Sequence, residues 1–163
     1  MKQLTILFLF ISSIAFSQKS IKEVLKEYNT ESVPYISIKR ASALNSQTSY
    51  LLDARELREF KVSHLKNAIH VGYDEFDLTE TIKKITDKKA IIVVYCTLGV
   101  RSEDIAEKLK KVGYLNVFNL FGGIVEWKNE GYPVIDSQGK ETERVHVVNK
   151  NWGKWLKKGK KVY

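Results

Sequence analysis

The run from Ala90 to Ser102 constrains the fold of this chain more than any other part of the sequence. Its first part, Ala90-Ile91-Ile92-Val93-Val94-Tyr95, leads directly into the chain's one cysteine, Cys96. A continuous apolar run that ends in a turn is typical of a strand buried on both faces, as in parallel sheets. Residues 103–109 then show helical spacing. Cys96 is therefore predicted at the carboxyl end of a central strand, the edge at which open α/β sheets bind ligands.

The rest of the chain alternates predicted strands and helices. The predicted strands are 35–38, 50–53, 68–71, 90–95 and 115–120. The predicted helices are 55–64, 76–85, 102–112 and 123–130. This alternation predicts an α/β fold of three layers, in which a mostly parallel five-stranded sheet carries helices on both faces. A length of 163 residues suits one such domain.

The two N-terminal segments have different compositions. Residues 1–17 combine Lys2, a short apolar core and the sequence Ala15-Phe16-Ser17, which is typical of a secretory signal peptide and its cleavage site. We therefore expect an exported protein, periplasmic or secreted. Residues 18–32 are charged, with apolar residues at helical spacing, and predict an amphipathic helix that packs on the domain.

The surroundings predicted for Cys96 favour its ionised form, which is the nucleophile. The amide groups of a tight loop and the start of the following helix both attract a negative charge. Arg101 adds a cation, and Gly99 permits a left-handed turn. Ser102 is predicted as the N-cap of the helix. An inert buried cysteine is the alternative, but it would not need this loop of glycine and arginine.

The segment Cys96-Thr97-Leu98-Gly99-Val100-Arg101-Ser102 resembles the C-x-x-G-x-R-S active-site loop of rhodanese-like sulfurtransferases. Two further blocks resemble the same family at similar spacing. One runs from Tyr50 to Val71 and contains Asp53-Ala54-Arg55-Glu56, and the other runs from Asn116 through Gly122-Gly123 to Trp127. The resemblance covers residues 33–135, so we expect a rhodanese-like domain over that range.

The resemblance implies the chemistry of the site. Cys96 would take a sulfane sulfur from a donor such as thiosulfate, and a thiol or cyanide would then accept it. The persulfide would lie among the loop residues Thr97, Leu98, Gly99, Val100, Arg101 and Ser102. No metal and no organic cofactor is implied. Leu98 makes the mouth of the site less polar than in many relatives. The resemblance alone therefore does not establish thiosulfate as the donor.

Three interpretations of the loop remain open: a sulfurtransferase, a phosphatase and a non-catalytic module. In this family a gap of four residues between Cys and Arg, as found here, implies a site sized for sulfur. A longer gap implies phosphate or arsenate, so a phosphatase is disfavoured. A non-catalytic binding or sulfur-carrier module remains the main alternative to a sulfurtransferase. A dithiol oxidoreductase is excluded, because the chain has one cysteine.

Other polar residues carry weaker expectations. Asp53 and Arg55 follow a predicted strand and are expected to brace the Cys96 loop, although Arg55 can also pair with Glu59 on the surface. The three histidines show no metal-ligand spacing. A Cys–His dyad would use His64 first. Gly122-Gly123 is expected to pack closely beside the loop.

Residues 136–163 form a predicted basic C-terminal tail, with an edge strand at 144–148. From Lys150 onward the tail has six lysines, no acids, and the aromatic residues Trp152 and Trp155. Such a composition can contact an anionic surface weakly, but for an exported protein we expect no nucleic-acid partner. The preferred interpretation is a solvated tail whose tryptophans pack back on the domain.

Overall fold

The computed structural model describes residues 19–163. The predicted signal peptide, 1–17, lies outside these residues. The helices are α1 Ile21–Tyr28, α2 Ile38–Ser42, α3 Leu57–Val62, α4 Leu78–Lys84, α5 Arg101–Lys111, α6 Gly123–Asn129 and α7 Lys150–Gly153. The strands are β1 Tyr35–Ile36, β2 Ser49–Asp53, β3 Ile69–His70, β4 Ile91–Tyr95, β5 Asn116–Leu120, β6 Val134–Ile135, β7 Glu141–Thr142, β8 Arg144–His146 and β9 Lys160–Val162.

The main sheet has five strands in the order β1-β5-β4-β2-β3, and all its pairings are parallel. This confirms the predicted α/β class and the five-stranded sheet. β4 lies in the middle of this sheet, and Ile92, Val93, Val94 and Tyr95 are fully buried, so both faces of the strand are covered. Its side chains alternate between two apolar clusters, with Val93 and Tyr95 in one cluster and Ile92 and Val94 in the other. Packing on both sides explains why β4 is a continuous apolar run.

The first predicted strand is shorter than the sequence pattern indicates. It ends at Ile36, and a short helix, α2, begins at Ile38. The cause is Ser37, whose extended backbone and side chain cap this helix by accepting the amide of Arg40 at 3.3 Å. Local capping therefore interrupts an alternation that would otherwise continue as a strand.

Residues 136–163 fold against the domain. β8 and β9 pair in parallel as a separate two-stranded sheet, and α7 lies between them in sequence. Val145, Val147, Trp155 and Leu156 are buried in the same apolar cluster as Val93. This segment therefore contributes to the core beneath the site. In residues 19–163 no helix has both the length and the apolar character needed to cross a membrane.

Candidate functional site

Cys96 follows β4 directly and lies at the carboxyl edge of the sheet, as predicted from the apolar run. Its side chain is buried, with 2 % of the residue exposed. It lines a cavity of about 210 Å³. The other lining residues are Thr97, Leu98, Val100, Arg101, Val148 and Trp152. The cysteine therefore faces a partly open cavity rather than the packed core.

The loop after Cys96 turns back so that the amide of Gly99 approaches the sulfur. The amide of Gly99 donates to Sγ of Cys96 over 3.1 Å. Gly99 has a φ of +112°, and a Cβ there would lie 3.3 Å from the carbonyl oxygen of Leu120. Only glycine takes this backbone conformation readily in so tight a space. The amide thus places positive polarity at the reactive atom.

Helix α5 begins one residue earlier than predicted, at Arg101, and its N-cap is Val100. Ser102 is therefore not the N-cap. Its hydroxyl donates to the side-chain oxygen of Asn119 at 2.7 Å and lies 3.6 Å from Sγ of Cys96. The prediction failed because a buried partner on β5 uses the hydroxyl instead. The helix still starts beside Cys96, so its dipole favours negative charge there.

Two asparagines hold the loop from outside. The side-chain amides of Asn29 and Asn119 both donate to the carbonyl of Gly99, at 2.9 and 2.7 Å. Asn29 follows α1 and Asn119 belongs to β5, so two separate elements fix one peptide group. Neither residue was predicted from the sequence to belong to the site. Neither lies in the loop, and nothing in their own neighbourhoods signals the contact.

Arg101 is held by a carboxylate that the sequence analysis did not assign to the site. Its guanidinium donates to both oxygens of Glu59, at 2.8 and 2.9 Å, and to the hydroxyl of Thr97 at 3.0 Å. The Thr97 hydroxyl in turn donates to Glu59. This fork-to-fork geometry fixes the loop to the start of α3. The charge of Arg101 is therefore largely matched by Glu59 rather than free in the cavity.

The same ion pair shifts the pKa values of both partners. Burial alone raises the pKa of Glu59, but the hydrogen bonds and the charge of Arg101 outweigh it, so the net pKa is lowered. Burial alone lowers the pKa of Arg101, but Glu59 and the nearby Cys96 outweigh it, so the net pKa is raised. Both groups stay ionised throughout the neutral pH range.

Asp53 and Arg55 form a fully buried ion pair behind the site. Nε and Nη2 of Arg55 donate to the Asp53 carboxylate, at distances from 2.6 to 3.2 Å. Nη2 also donates to the carbonyl of Ser63 at 2.7 Å. The partner of Arg55 is thus Asp53 in the interior, not Glu59 on the surface. The pair joins the end of β2 to the segment after α3, and α3 carries Glu59.

The glycine pair Gly122-Gly123 packs against the Cys96 loop. The amides of Ile124 and Val125 donate to the carbonyls of Cys96 and Thr97, at 3.0 and 3.2 Å. A Cβ on Gly123 would lie 2.3 Å from the Cys96 carbonyl oxygen. The start of α6 therefore holds the backbone of the loop by direct contact, as the sequence analysis expected.

His64 does not act as the partner of Cys96 in this geometry. Its ring stacks on Phe60 with centroids 3.9 Å apart, and Nδ1 lies 3.0 Å from the Phe60 carbonyl. His70 contacts the carbonyl of Arg55. Within residues 19–163 no cluster of three or more His, Cys, Asp or Glu residues is arranged to hold a metal ion.

Comparison with known proteins places this geometry in a family. The family model of the Rhodanese-like domain matches residues 37–130. The chain is 39 % identical over 88 residues to a tRNA uridine(34) hydroxylase of Aster yellows witches'-broom phytoplasma. The matched region covers 52 % of this chain and 29 % of that protein. The corresponding protein of Yersinia enterocolitica is 34 % identical over 98 residues, covering 56 % and 28 %. The chain thus spans less than a third of these curated relatives.

Solved structures give the same fold. A rhodanese-related protein from Thermoplasma volcanium superposes with a TM-score of 0.54 at 31 % identity, over 63 % of this chain and 97 % of that one. A thiosulfate sulfurtransferase from Pseudomonas aeruginosa has a TM-score of 0.61 at 20 % identity, over 83 % of this chain and 25 % of that one. At that identity the second likeness shows the fold alone.

Proposed function

This chain belongs to the rhodanese-like domain family, and on that premise we propose that it is a sulfurtransferase whose Cys96 carries the sulfur as a persulfide. The observation that carries the proposal is the position of Sγ of Cys96. It lines a partly open cavity, accepts the Gly99 amide at 3.1 Å and lies beside the start of α5. These are the surroundings that stabilise a thiolate and a terminal persulfide anion.

The reaction has two displacements. The Cys96 thiolate attacks the outer sulfur of a sulfane donor, and the donor's sulfur–sulfur bond breaks. The leaving group departs with the electron pair, which for thiosulfate gives sulfite. An acceptor thiolate or cyanide then attacks the terminal sulfur of the persulfide and restores the Cys96 thiolate. Charge and atoms balance in both steps without a cofactor.

Arg101 serves this reaction mainly by holding the loop. Its guanidinium joins Thr97 to Glu59, so the loop keeps its shape as the sulfur gains and loses a substituent. Asp53 and Arg55 brace the same edge from the interior. Preorganised dipoles of this kind act without the cost of rearranging at each turnover.

The test is mass spectrometry of the protein after incubation with thiosulfate and with other sulfane donors. We expect one additional sulfur atom on the peptide that contains Cys96, and its removal by cyanide as thiocyanate. Cys96→Ser, which preserves the size of the side chain, is expected to gain no sulfur. The absence of an adduct from every donor would overturn the proposal.

A second candidate is a non-catalytic binding module of the same fold. The observation that favours it is the burial of Cys96, of which 2 % is exposed. Under this candidate Cys96→Ser fully replaces the wild-type protein in the cell, whereas a sulfurtransferase loses its function with that change.

We also propose that the chain is exported, on the composition of residues 1–17. Fractionation of the producing cells, with sequencing of the mature N-terminus, tests this. A mature chain that begins near Gln18 outside the cytoplasm supports export, and an intact N-terminus in the cytoplasm contradicts it.

A further inference from the structure

One wall of the cavity above Cys96 comes from the C-terminal segment. Val148 and Trp152 line the cavity together with the residues of the loop. Both lie beyond residue 130, where the match to the family model ends. The shape of this site therefore depends on a part of the chain that the family match does not include.

Val148 is held in place by a hydrogen bond of its own and by the helix cap that follows it. Its φ is +64°, a left-handed conformation that is unfavourable for a β-branched residue. Its amide donates to Nδ1 of His146 at 3.2 Å. The next residue, Asn149, caps α7 by accepting the amides of Asn151 and Trp152, at 2.9 and 3.2 Å. Backbone strain that neighbouring hydrogen bonds maintain is common at functional sites. It indicates that the position of Val148 matters for the shape of the cavity.

Trp152 lines the cavity and is partly exposed. Its ring lies 6.0 Å from that of Tyr28 on α1 and 5.7 Å from that of Trp155, measured between centroids. The Trp155 indole donates to the carbonyl of Lys19 at 2.9 Å. The indole of Trp152 thus packs against two aromatic neighbours, and it also lines the cavity.

The charge of the cavity is small. Of the described residues that line it, Leu98, Val100, Val148 and Trp152 are apolar. Arg101 is the one cation in that set, and both oxygens of Glu59 already pair with it. A doubly charged donor must therefore lose water against an apolar wall without a free counter-charge, which is unfavourable.

We propose that Trp152 and Val148 are specificity-determining residues that favour sulfane donors with an apolar, singly charged body over thiosulfate. The chemical class is an organic thiosulfonate. The Cys96 thiolate takes the outer sulfur, the sulfur–sulfur bond breaks, and a sulfinate leaves with the electron pair. One negative charge enters with the donor and one leaves with the sulfinate. This inference rests on the sulfurtransferase function proposed above.

The experiment measures kcat/KM for sulfur loading of Cys96 with benzenethiosulfonate, methanethiosulfonate and thiosulfate. Because leaving groups differ in intrinsic reactivity, the readout is the ratio of benzenethiosulfonate to thiosulfate in each variant. We expect Trp152→Ala to lower this ratio by about threefold to tenfold, the range for a lost aromatic contact. Methanethiosulfonate, which has no ring, should respond weakly. Trp152→Phe keeps an aromatic wall and should keep most of the ratio.

Two further variants keep the test decisive. Trp152→Gln replaces the ring with a polar chain and serves if Trp152→Ala does not fold. Tyr163→Ala removes a largely exposed aromatic residue from the same segment, away from the cavity lining, and should leave the ratio unchanged.

The possible failures are distinguishable. Loading by all donors with the same ratio in wild type, Trp152→Ala and Trp152→Gln would overturn the donor selectivity alone. No loading of wild-type Cys96 by any of the three donors would overturn the sulfurtransferase function and, with it, this inference.

Discussion

At the scale of single residues, Gly123 sets how closely α6 approaches the Cys96 loop. A Cβ there would lie 2.3 Å from the Cys96 carbonyl oxygen and 2.7 Å from that of Thr97. Gly123→Ala therefore has to displace the loop. We expect sulfur loading of Cys96 to slow by about 10-fold to 100-fold, as small misplacements of reacting groups do. Single-turnover loading, followed by mass spectrometry, measures this rate.

Gly139→Ala is the matched control for Gly123→Ala. Gly139 also has a positive φ, +76°, but a Cβ there would meet nothing within 4 Å. It carries the backbone penalty of about 1 kcal/mol without the clash. We expect the loading rate to be unchanged. Equal rates in both variants would contradict the role of close packing at Gly123.

Glu59 makes a second prediction at this scale. Glu59→Gln leaves Arg101 partly buried with a neutral partner, at a cost of about 2 kcal/mol in the free energy of unfolding. The folded pKa of Glu59 lies below the unfolded value of about 4.3. Its contribution to stability is thus fully present above that pH and is lost as pH falls through the folded value. Glu59→Gln should remove this acid-sensitive part.

Urea unfolding between pH 3 and pH 7 measures the effect of Glu59→Gln. The control is Glu80→Gln, because Glu80 pairs with Lys83 where both side chains are largely exposed. Exposed pairs contribute little, so that variant should follow the wild-type pH profile. If the free energy of unfolding of Glu59→Gln fell at acidic pH as steeply as that of the wild type, the acid sensitivity would not come from Glu59.

At the scale of elements, β8 packs against α3, and His146 at the end of β8 lies close to Glu59 on α3. His146 is buried, and its Nδ1 accepts the Val148 amide while lying 3.9 Å from Glu59. Burial lowers its pKa, and the nearby Arg58, Arg55 and Arg101 lower it further, while Glu59 opposes them. Protonation would place a hydrogen on Nδ1 and break its bond to Val148.

The direction of the pH effect at His146 follows from linkage. The folded pKa lies below the unfolded value of about 6.5, so the unfolded chain binds the proton more readily. Stability is therefore fully present above about pH 6.5 and falls below it, by at most about 1.4 kcal/mol per pH unit. His146→Asn, which offers an acceptor but does not titrate, should flatten the unfolding free energy between pH 5 and pH 7. An unchanged slope would contradict this.

The elements also differ in how far the sequence predicts them. β4 and the position of Cys96 were predictable because a strand covered on both faces is apolar throughout. Helix α2 was not, because Ser37 ends the strand by a local cap that the alternating pattern hides. Glu59 was also missed as the partner of Arg101, since two residues so far apart in the chain share no local signal.

At the scale of the whole molecule, the C-terminal segment contributes side chains both to the apolar core and to the cavity at Cys96. Val145, Val147, Trp155 and Leu156 are buried with the side chains beneath β4, and Trp152 lines the cavity. The sequence predicted a solvated tail whose tryptophans pack back on the domain. Its lysines after residue 153 are exposed and Trp155 is buried, as predicted. The burial of Val145, Val147 and Leu156 in the core was not predicted, because the lysine-rich composition of the segment hides it.

Removal of residues 144–163 is therefore expected to destabilise the entire domain rather than only alter the site. Each large apolar side chain that becomes exposed costs about 1.5–3 kcal/mol, against a total stability of about 5–15 kcal/mol for a typical domain. We expect the truncated chain to melt more than about 10 °C lower or not to fold, by circular dichroism. The double variant Lys157→Gln/Lys158→Gln removes charge from the same segment without exposing apolar surface, so its melting temperature should match the wild type. If the truncated chain had the same melting temperature as the wild type, the segment would not contribute to the stability of the domain. The cavity wall at Trp152 would then not depend on the core below it.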